Sequence, residues 1–440
     1  MNISTAHKLR FIKRAALIGA LITTLFTINI TAEEWGSWGD GSIFDLSGYL
    51  EVTGVTVLPR WQEDQNGNVG LLSKLRLRGV FEPASNLSVV AEVEYQDMRG
   101  AVNPLTRMSL AGLPLLNESS QAQLAGIDFN RRIDFDYAYG SASFGPVDLR
   151  IGRQPLAWGT AYAFNPTDLA NPVTLAELTG VEPPGITAIA PSFTIGPSLG
   201  IDGYVGFEDR SREAVAITDI SVPANIPFGI RGRAFINAWD VGVGFVRAVE
   251  QTGFLQKQLS VEDYVIAEFA GSAGPFMLYG ETSVEIDNAD WKFSHSVDAA
   301  IGTQYDIGDN FSLLVEYHRR GRGASDPDNY DLFRRLAGGL VARDYLVCVG
   351  NSFLFDDKVQ LTVASIINLN DYSAALIPEI IYTAVQDFEL GMGISLFPGS
   401  RGTEFYGDFR LETQEPGDKT VFTDVDMGRY MAFFKTTWYF

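Results

Sequence analysis

The feature that most constrains the fold of this chain is a period-two alternation of apolar and polar residues in segments of about ten residues. Residues 71–96 contain two such segments in succession. One face is apolar and carries Leu75, Leu77, Phe81, Leu87, Val89, Ala91, Val93 and Tyr95. The other face is charged and carries Lys74, Arg76 and Arg78, then Glu92 and Glu94. Strands with one apolar and one polar face can separate lipid from water, so the pattern indicates a transmembrane sheet.

A short turn at residues 82–86 joins these two strands. If the turn is a tight hairpin, Arg76 lies opposite Glu92 and Lys74 lies opposite Glu94. Charges of opposite sign would then meet on the inner face of the sheet. The charged side chains of this hairpin are therefore predicted to line a lumen.

The same pattern recurs along the rest of the chain. In one example the apolar residues Ile133, Phe135, Tyr137 and Tyr139 alternate with the charged residues Arg132, Asp134 and Asp136. Eight short turns separate such strands, at residues 83–86, 145–146, 196–198, 237–240, 274–275, 308–310, 356–357 and 386–387. Longer polar segments lie between them. This arrangement predicts short turns at one end of the sheet and long loops at the other.

A closed sheet follows from the physics of the bilayer. Beyond the N-terminal region the chain has no long apolar run, so it is not a helical membrane protein. In hydrocarbon every backbone N–H and C=O must be paired, which leaves a closed barrel. Such barrels have an even number of strands, so we assign residues 398–428 to one long external loop. The prediction is an all-β, antiparallel transmembrane barrel of about 18 strands, with 16 as the alternative.

The N-terminus predicts export. Four basic residues come first: Lys8, Arg10, Lys13 and Arg14. The uncharged apolar run 15–30 that follows is too short to span a bilayer comfortably, and Ala32 supplies a small residue for cleavage. We predict that residues 1–32 are a signal peptide and that 33–440 form a single barrel domain in the outer membrane. An uncleaved membrane anchor is the alternative.

Composition excludes several functions. The chain has 54 acidic and 33 basic residues, and removal of residues 1–32 would take its formal net charge from −21 to −25. Such an acidic chain is not drawn to nucleic acid. After cleavage only His295 and His318 remain as histidines, and neither lies beside a Ser-nucleophile motif. We therefore predict no enzyme activity, no cofactor and no metal site.

The C-terminal strand carries the sharpest local signal. One of its faces holds Tyr430, Ala432, Phe434, Thr436, Trp438 and the terminal Phe440. This pattern resembles the terminal signal by which outer-membrane barrels are recognised for assembly. The resemblance implies that Trp438 and Phe440 contact the barrel-assembly machinery. An ordinary amphipathic edge strand is the alternative.

The most distinctive motif runs from Ile151 through Gly152-Arg153-Gln154 to Trp158-Gly159, and continues with Asn165-Pro166-Thr167-Asp168. Here the chain resembles a broad group of porin-like outer-membrane barrels. That group includes alginate-export barrels and an uncharacterised family with a Gly-Arg-Gln…Trp-Gly…Asn-Pro-x-Asp pattern. The resemblance implies that the segment folds into the lumen as a constriction, lined or braced by Arg153, Gln154, Asn165 and Asp168. The alternative is that Asn-Pro and Pro-Thr-Asp only make turns and caps.

Function is predicted from the size and lining of the barrel. Inward residues of both signs do not suit an exporter of a polyanion such as alginate, which requires a mainly basic lumen. We expect a porin-like channel for passive diffusion of small hydrophilic solutes, with a plugged surface or structural barrel as the alternative. Other expected partners are outer-membrane lipid, lipopolysaccharide and, as an option left open, further copies of the chain. The arginines that would reach lipopolysaccharide phosphates, or pair with nearby Asp residues, are Arg319, Arg320, Arg322, Arg334 and Arg335.

Overall fold

The structure is a computed structural model of the chain. It describes residues 43–58, 69–100, 130–171, 185–207, 226–252, 258–287, 292–308, 310–331, 339–406, 408–415, 419–426 and 430–440. The predicted signal peptide, residues 1–32, lies outside the described residues. No helix within the described ranges is long and apolar enough to cross a membrane.

The described residues form twenty β-strands and one short 3-10 helix, Pro327–Asn329. The first ten strands are β1 Phe44–Leu58, β2 Val69–Ala84, β3 Leu87–Gly100, β4 Arg131–Phe144, β5 Val147–Gln154, β6 Ile186–Ile195, β7 Leu199–Gly206, β8 Phe228–Ile236, β9 Trp239–Thr252 and β10 Gln258–Ala273. The other ten are β11 Phe276–Asp287, β12 Lys292–Ile307, β13 Phe311–Arg319, β14 Asp344–Leu354, β15 Val359–Asn368, β16 Ala374–Val385, β17 Phe388–Leu396, β18 Asp408–Glu415, β19 Lys419–Asp426 and β20 Tyr430–Tyr439.

Eighteen of these strands close into one antiparallel barrel, which confirms the predicted fold class and strand number. Strands β1 to β17 pair in chain order, and β20 closes the ring. Thr437 of β20 lies opposite Glu389 of β17 on one side and opposite Glu51 of β1 on the other. Strands β18 and β19 pair only with each other, within the segment 398–428 that was assigned to an external loop.

The two ends of the barrel differ as the turn pattern predicts. All eight predicted short turns join consecutive strands at one end, which we call the turn end. The start of β1 and the C-terminal Phe440 lie at this end as well, since Gly48 and Phe440 exchange backbone hydrogen bonds. The long connections lie at the opposite end, which we call the loop end. Short turns need few residues because antiparallel neighbours can be joined directly.

The outer face of the barrel is apolar and exposed, as expected for a surface in contact with lipid. Large exposed side chains on this face include Leu77, Phe81, Val89, Ile133, Phe135, Ile151, Phe193, Ile230, Phe311 and Leu313. The alternate positions point inward, and many of them are buried charges. The alternation read from the sequence therefore assigns most strand residues to the correct face.

Strand β4 departs from the predicted alternation. Glu92 lies opposite Tyr137, but the next residue, Val93, lies opposite Phe135. Asp136 is therefore the extra residue of a β-bulge, which moves Tyr137 and Tyr139 to the inner face. The prediction that these two tyrosines face lipid is wrong, because one additional residue reverses the faces of every residue that follows it.

The register of the first predicted hairpin is also corrected. The turn is Ser85-Asn86, and the strand pairing is irregular just before it, between Phe81 and Ala84. As a result Arg76 lies opposite Glu94, not opposite Glu92. Both predicted charge pairs still form across the diagonal: Arg76 Nε lies 3.2 Å from Glu92 Oε1, and Lys74 Nζ lies 3.7 Å from Glu94 Oε2.

Candidate channel constriction

After Gln154 the chain leaves the barrel wall and runs inside the lumen as an irregular segment, residues 155–171, which we call the inward segment. Its apolar side chains enter two buried clusters on the inner wall. Leu156, Trp158 and Leu169 pack with residues of β6, β7, β9 and β10. Ala161, Ala163 and Phe164 pack with residues of β11 to β15. The inward segment therefore lies along one side of the lumen.

Trp158 fixes the first part of the inward segment. Its ring packs edge-on against Tyr204, with 5.1 Å between ring centroids, and the Arg231 guanidinium lies 4.7 Å from its centroid. Gly229 leaves the space for this ring, because a Cβ there would come within 2.8 Å of it. Arg231 is held in turn by Glu268, at 2.7 Å. The tryptophan of the sequence motif thus packs the segment against the barrel wall.

The middle of the inward segment is held by two carboxylates of the barrel wall. Glu281 Oε2 of β11 accepts hydrogen bonds from the N–H groups of Thr160 at 2.7 Å and Ala161 at 3.5 Å. Glu316 of β13 accepts from the next three N–H groups, those of Tyr162 at 2.7 Å, Ala163 at 3.3 Å and Phe164 at 3.4 Å. Two carboxylates therefore accept hydrogen bonds from five consecutive backbone N–H groups, those of residues 160–164.

Gly159 allows the backbone to approach Glu281. Its φ of 116° lies in a region that side chains disfavour. A Cβ at this position would also lie 2.5 Å from Glu281 Oε2 and 2.9 Å from Thr167 Oγ1. The Thr167 hydroxyl donates to the same carboxylate oxygen at 3.0 Å. The Trp-Gly part of the motif is therefore explained by packing and by contact with Glu281.

The predicted constriction residues on the inward segment have different surroundings. Gln154 is fully buried and donates to the Ala188 carbonyl at 2.8 Å, so it braces the point where the segment leaves the wall. Asp168 is only 2% exposed; its N–H donates to Asn165 O at 3.0 Å and its carboxylate accepts from Asn171 N at 3.1 Å. These are the hydrogen bonds of a turn, the alternative given for this part of the motif. Tyr162 is the exposed large side chain of the segment, with 52% of its surface accessible.

The placement of Arg153 corrects the prediction that it lines the constriction. Arg153 lies opposite Ala138 and Thr187, on the same face of the sheet as the exposed residues Ile151 and Ile189. That face is the outer one. The prediction came from the resemblance of the motif rather than from strand alternation, and Arg153 has the same parity on β5 as the exposed Ile151.

The opposite side of the lumen carries the predicted charges, which we call the charged wall: Lys74, Arg76, Glu92, Glu94 and Asp136, all buried. Arg76 is at its centre and pairs with Glu92 at 3.2 Å, with Glu94 at 3.3 Å and with Asp136. Arg78 and the ion pair of Arg132 with Asp134 lie on the same inner face and are more exposed. These are the charged positions that alternation predicts to face inward, and their role as a pore lining stays a prediction.

The wall behind the inward segment has a different lining, which we call the covered wall. Many of its inward side chains are apolar and buried, namely Val246, Ile266, Ala300, Leu314, Val347, Val349 and Ile366. Sequence alternation does not identify them. Where both faces of a strand are apolar, the sequence has no polar positions that show which face is turned to the lumen. These side chains are covered by the inward segment, which is distant in sequence, and this contact is seen only in the structure.

Loops at the loop end add a second layer over the covered wall. Four buried residues, Tyr330, Tyr345, Asn368 and Glu404, form with the half-buried Asp371 what we call the loop-end network. Glu404 accepts from Tyr345 OH and Asn368 Nδ2, each at 2.8 Å, and its N–H donates to Asp371 at 2.7 Å. Burial raises the pKa of Glu404 above its ordinary value of 4.5, against the opposing effect of the hydrogen bonds from Val341 N–H and Tyr345 OH.

The external arginines that were considered for lipopolysaccharide have protein partners. Arg319 lies 3.5 Å from Asp344. Arg322 lies 2.7 Å from Glu262 and 2.8 Å from Glu285, and these carboxylates raise its pKa despite burial. Arg334 and Arg335 lie outside the described residues. The structure therefore favours the pairing alternative for the part of the cluster that it describes.

Comparison with known proteins supports the fold and leaves the function open. No family model and no curated protein matches the sequence. Among solved structures, Pseudomonas aeruginosa OccK11 (OpdR) is similar, with a TM-score of 0.50 and 10% identity over 90% of this chain and 95% of that one. A mutant of the Rh. blastica porin gives 0.44 and 12% over 90% and 100%, and Vibrio cholerae OmpT in its trimer form gives 0.39 and 9% over 90% and 99%. The chain is a closed transmembrane barrel with the general fold of OccK11.

Proposed function

We propose that this protein is a channel for passive diffusion of small hydrophilic solutes across the outer membrane. The observation that carries the proposal is the inward segment, which narrows an 18-stranded barrel from one side and is held there by Glu281 and Glu316. A segment that narrows a lumen at a fixed position is the device by which a pore selects solutes by size.

The width of the barrel supports an open path. Eight strands give an interior that side chains fill, whereas 16–18 strands leave room for a water channel. Charged inner-face side chains such as Arg78 and Arg233 are well exposed, as is Tyr162 on the inward segment. Among the described residues the inward segment and the loop-end network lie over the covered wall, so these elements leave the side of the charged wall free. That space suits water and polar solutes.

The expected orientation follows the usual rule for such barrels, with short turns in the periplasm and long loops outside. In this orientation Trp438 and Phe440, on the strand that closes the barrel, lie at the periplasmic end, where the assembly machinery would meet them. Outer-membrane lipid and lipopolysaccharide would surround the apolar outer face. Cleavage after Ala32 remains part of the proposal.

Recording in planar bilayers tests the channel proposal. Purified, refolded protein should give stepwise currents, and vesicles that contain it should swell in solutions of small sugars but not of large polymers. A control preparation left unfolded in urea before dilution should give no steps. Folded protein that never conducts would refute the proposal.

A plugged, non-channel barrel is the second candidate, and the loop-end network is the observation that favours it. Loops that contain Tyr330, Asp371 and Glu404 are fastened to each other by buried hydrogen bonds at the loop end. In this case deletion of residues 397–406 should create conductance in a protein that otherwise lacks it. A channel, by contrast, conducts before the deletion.

A further inference from the structure

We infer that Glu281 and Glu316 are positioning residues that fix the inward segment and thereby set the width of the channel. This inference rests on the proposed function. It assigns to two residues of the barrel wall a role that the sequence motif, which lies more than a hundred residues away, does not show.

The first argument is the completeness of the hydrogen bonding. Residues 160–164 are irregular, so their backbone N–H groups have no helix or strand partner. All five N–H groups donate to Glu281 or Glu316. A buried N–H without an acceptor is strongly disfavoured, so the segment stays in place only while these carboxylates accept.

The second argument is that no cation of the described barrel wall pairs with these carboxylates. Glu316 is 0% exposed and Glu281 is 4% exposed. Among the described residues neither has a Lys, Arg or His within ion-pair distance. A buried carboxylate without a cation is costly for a barrel wall that a neutral side chain could form equally well. The compensation comes from the donors of the inward segment.

The third argument is that the wall fixes the position of the acceptors. Tyr279 OH donates to Glu316 Oε2 at 3.0 Å, and Gly302 provides the space over which the Tyr279 ring lies. Glu281 has a further donor from the segment itself, since Thr167 Oγ1 donates to it at 3.0 Å. Acceptors held by their own neighbours on rigid strands define a position for the segment more narrowly than contacts between loops do.

The consequence for the channel concerns Tyr162. Its N–H donates to Glu316 at 2.7 Å, while its side chain is exposed to the lumen. Glu316 therefore determines how far this ring stands from the wall. If the acceptor is removed, the tip of the segment loses its fixed position, and the channel should become wider and noisier.

The experiment compares the wild type with Glu316→Ala, Glu281→Ala and the double variant. Single-channel conductance reports the width, and heat-modifiable mobility reports whether the barrel is folded. The matched control is Glu379→Ala, which removes an inward carboxylate that pairs with Lys435 at 3.4 Å and makes no hydrogen bond to the segment. We expect higher and more variable conductance in the first three variants and not in the control.

A second measurement does not depend on conductance. In a Cys348→Ser background, Ala163→Cys places a thiol at a position that is fully buried in the wild type. A water-soluble thiol reagent should modify it roughly 10- to 100-fold faster when Glu316 is also replaced by Ala, as expected when two or more backbone hydrogen bonds are lost. If alanine variants do not insert, Glu316→Gln, which keeps one acceptor oxygen, should give a smaller change in the same direction.

Unchanged conductance together with unchanged thiol reactivity in folded Glu316→Ala and Glu281→Ala would overturn the inference. A change equal to that of Glu379→Ala would overturn it as well. If no form of the protein conducts, the proposed function fails, while the thiol measurement still decides whether these carboxylates hold the segment.

Discussion

The charged wall and the covered wall are built from the same kind of strand, but their inward charges are satisfied in different ways. On the charged wall Arg76 is surrounded by Glu92, Glu94 and Asp136, and the charges satisfy each other within the sheet. On the covered wall the inward residues are apolar, and the few charges that remain, such as Glu281 and Glu316, are satisfied by a segment that folds in from elsewhere.

The difference shows what an inward position means in a wide barrel. Where the lumen is open, an inward side chain meets water or other side chains of the wall, so it must be polar. Where a segment covers the wall, the same position becomes part of a core like that of a soluble protein. One barrel can therefore contain both a hydrated side and a packed side, and the packed side fixes the position of the narrowing element.

The largest expected effect is a loss of folding stability when the ion pairs of the charged wall are removed. Arg76→Leu leaves three buried carboxylates without their common cation, and removal of one partner of a buried pair costs about 3–5 kcal/mol. Urea unfolding of protein in vesicles, followed by tryptophan fluorescence, should show this loss.

The control for this prediction is Arg78→Leu on the same strand and the same face. Arg78 is exposed, and substitutions at such positions usually change stability by about 0.5 kcal/mol or less. Equal destabilisation by both variants would mean that the charged wall is not held together by Arg76.

A smaller effect is expected at the loop-end network. Burial raises the pKa of Glu404, so the folded protein binds more protons than the unfolded chain above the ordinary value of 4.5. Stability should therefore be highest below this value and should fall as the pH rises through the raised pKa. A tenfold difference in proton affinity between the folded and the unfolded state corresponds to about 1.4 kcal/mol.

Glu404→Gln should flatten this part of the dependence of the unfolding midpoint on pH. Asp326→Asn is the matched control, because Asp326 lies in the same set of loops and only caps the helix Pro327–Asn329. If Glu404→Gln leaves the pH profile as it is in the wild type, titration of Glu404 does not contribute to the stability of the packed side.

Much of this architecture was predictable from residue patterns. Alternation and turn chemistry predicted eighteen strands, the eight short turns and the inward charges of the β2–β3 hairpin. The bulge at Asp136 and the shifted register after Phe81 escaped prediction, because a single extra residue leaves no mark on composition.

The candidate site was less predictable for a different reason. The motif identified the segment, and the structure places it inside the barrel, but its anchors Glu281 and Glu316 come from strands far along the chain. Both glutamates occupy inner-face positions of ordinary alternating strands, and alternation does not say what an inward side chain binds. Contacts between an irregular segment and a distant wall have no period, so a pattern-based argument cannot find them.

The smallest expected effect concerns ion selectivity, and it compares a wall residue with a residue of the inward segment. Arg78 is exposed on the inner face, where ions pass, so Arg78→Gln should shift the reversal potential in a salt gradient slightly towards cations. The shift should be small because solvent-exposed charges are screened over about 8–10 Å in physiological salt. Asp168 carries a charge in the segment itself, but it is buried in a turn and accepts from Asn171 N–H. Asp168→Asn should therefore leave the reversal potential unchanged, and a shift larger than that of Arg78→Gln would show that this turn, rather than Tyr162, faces the ion path.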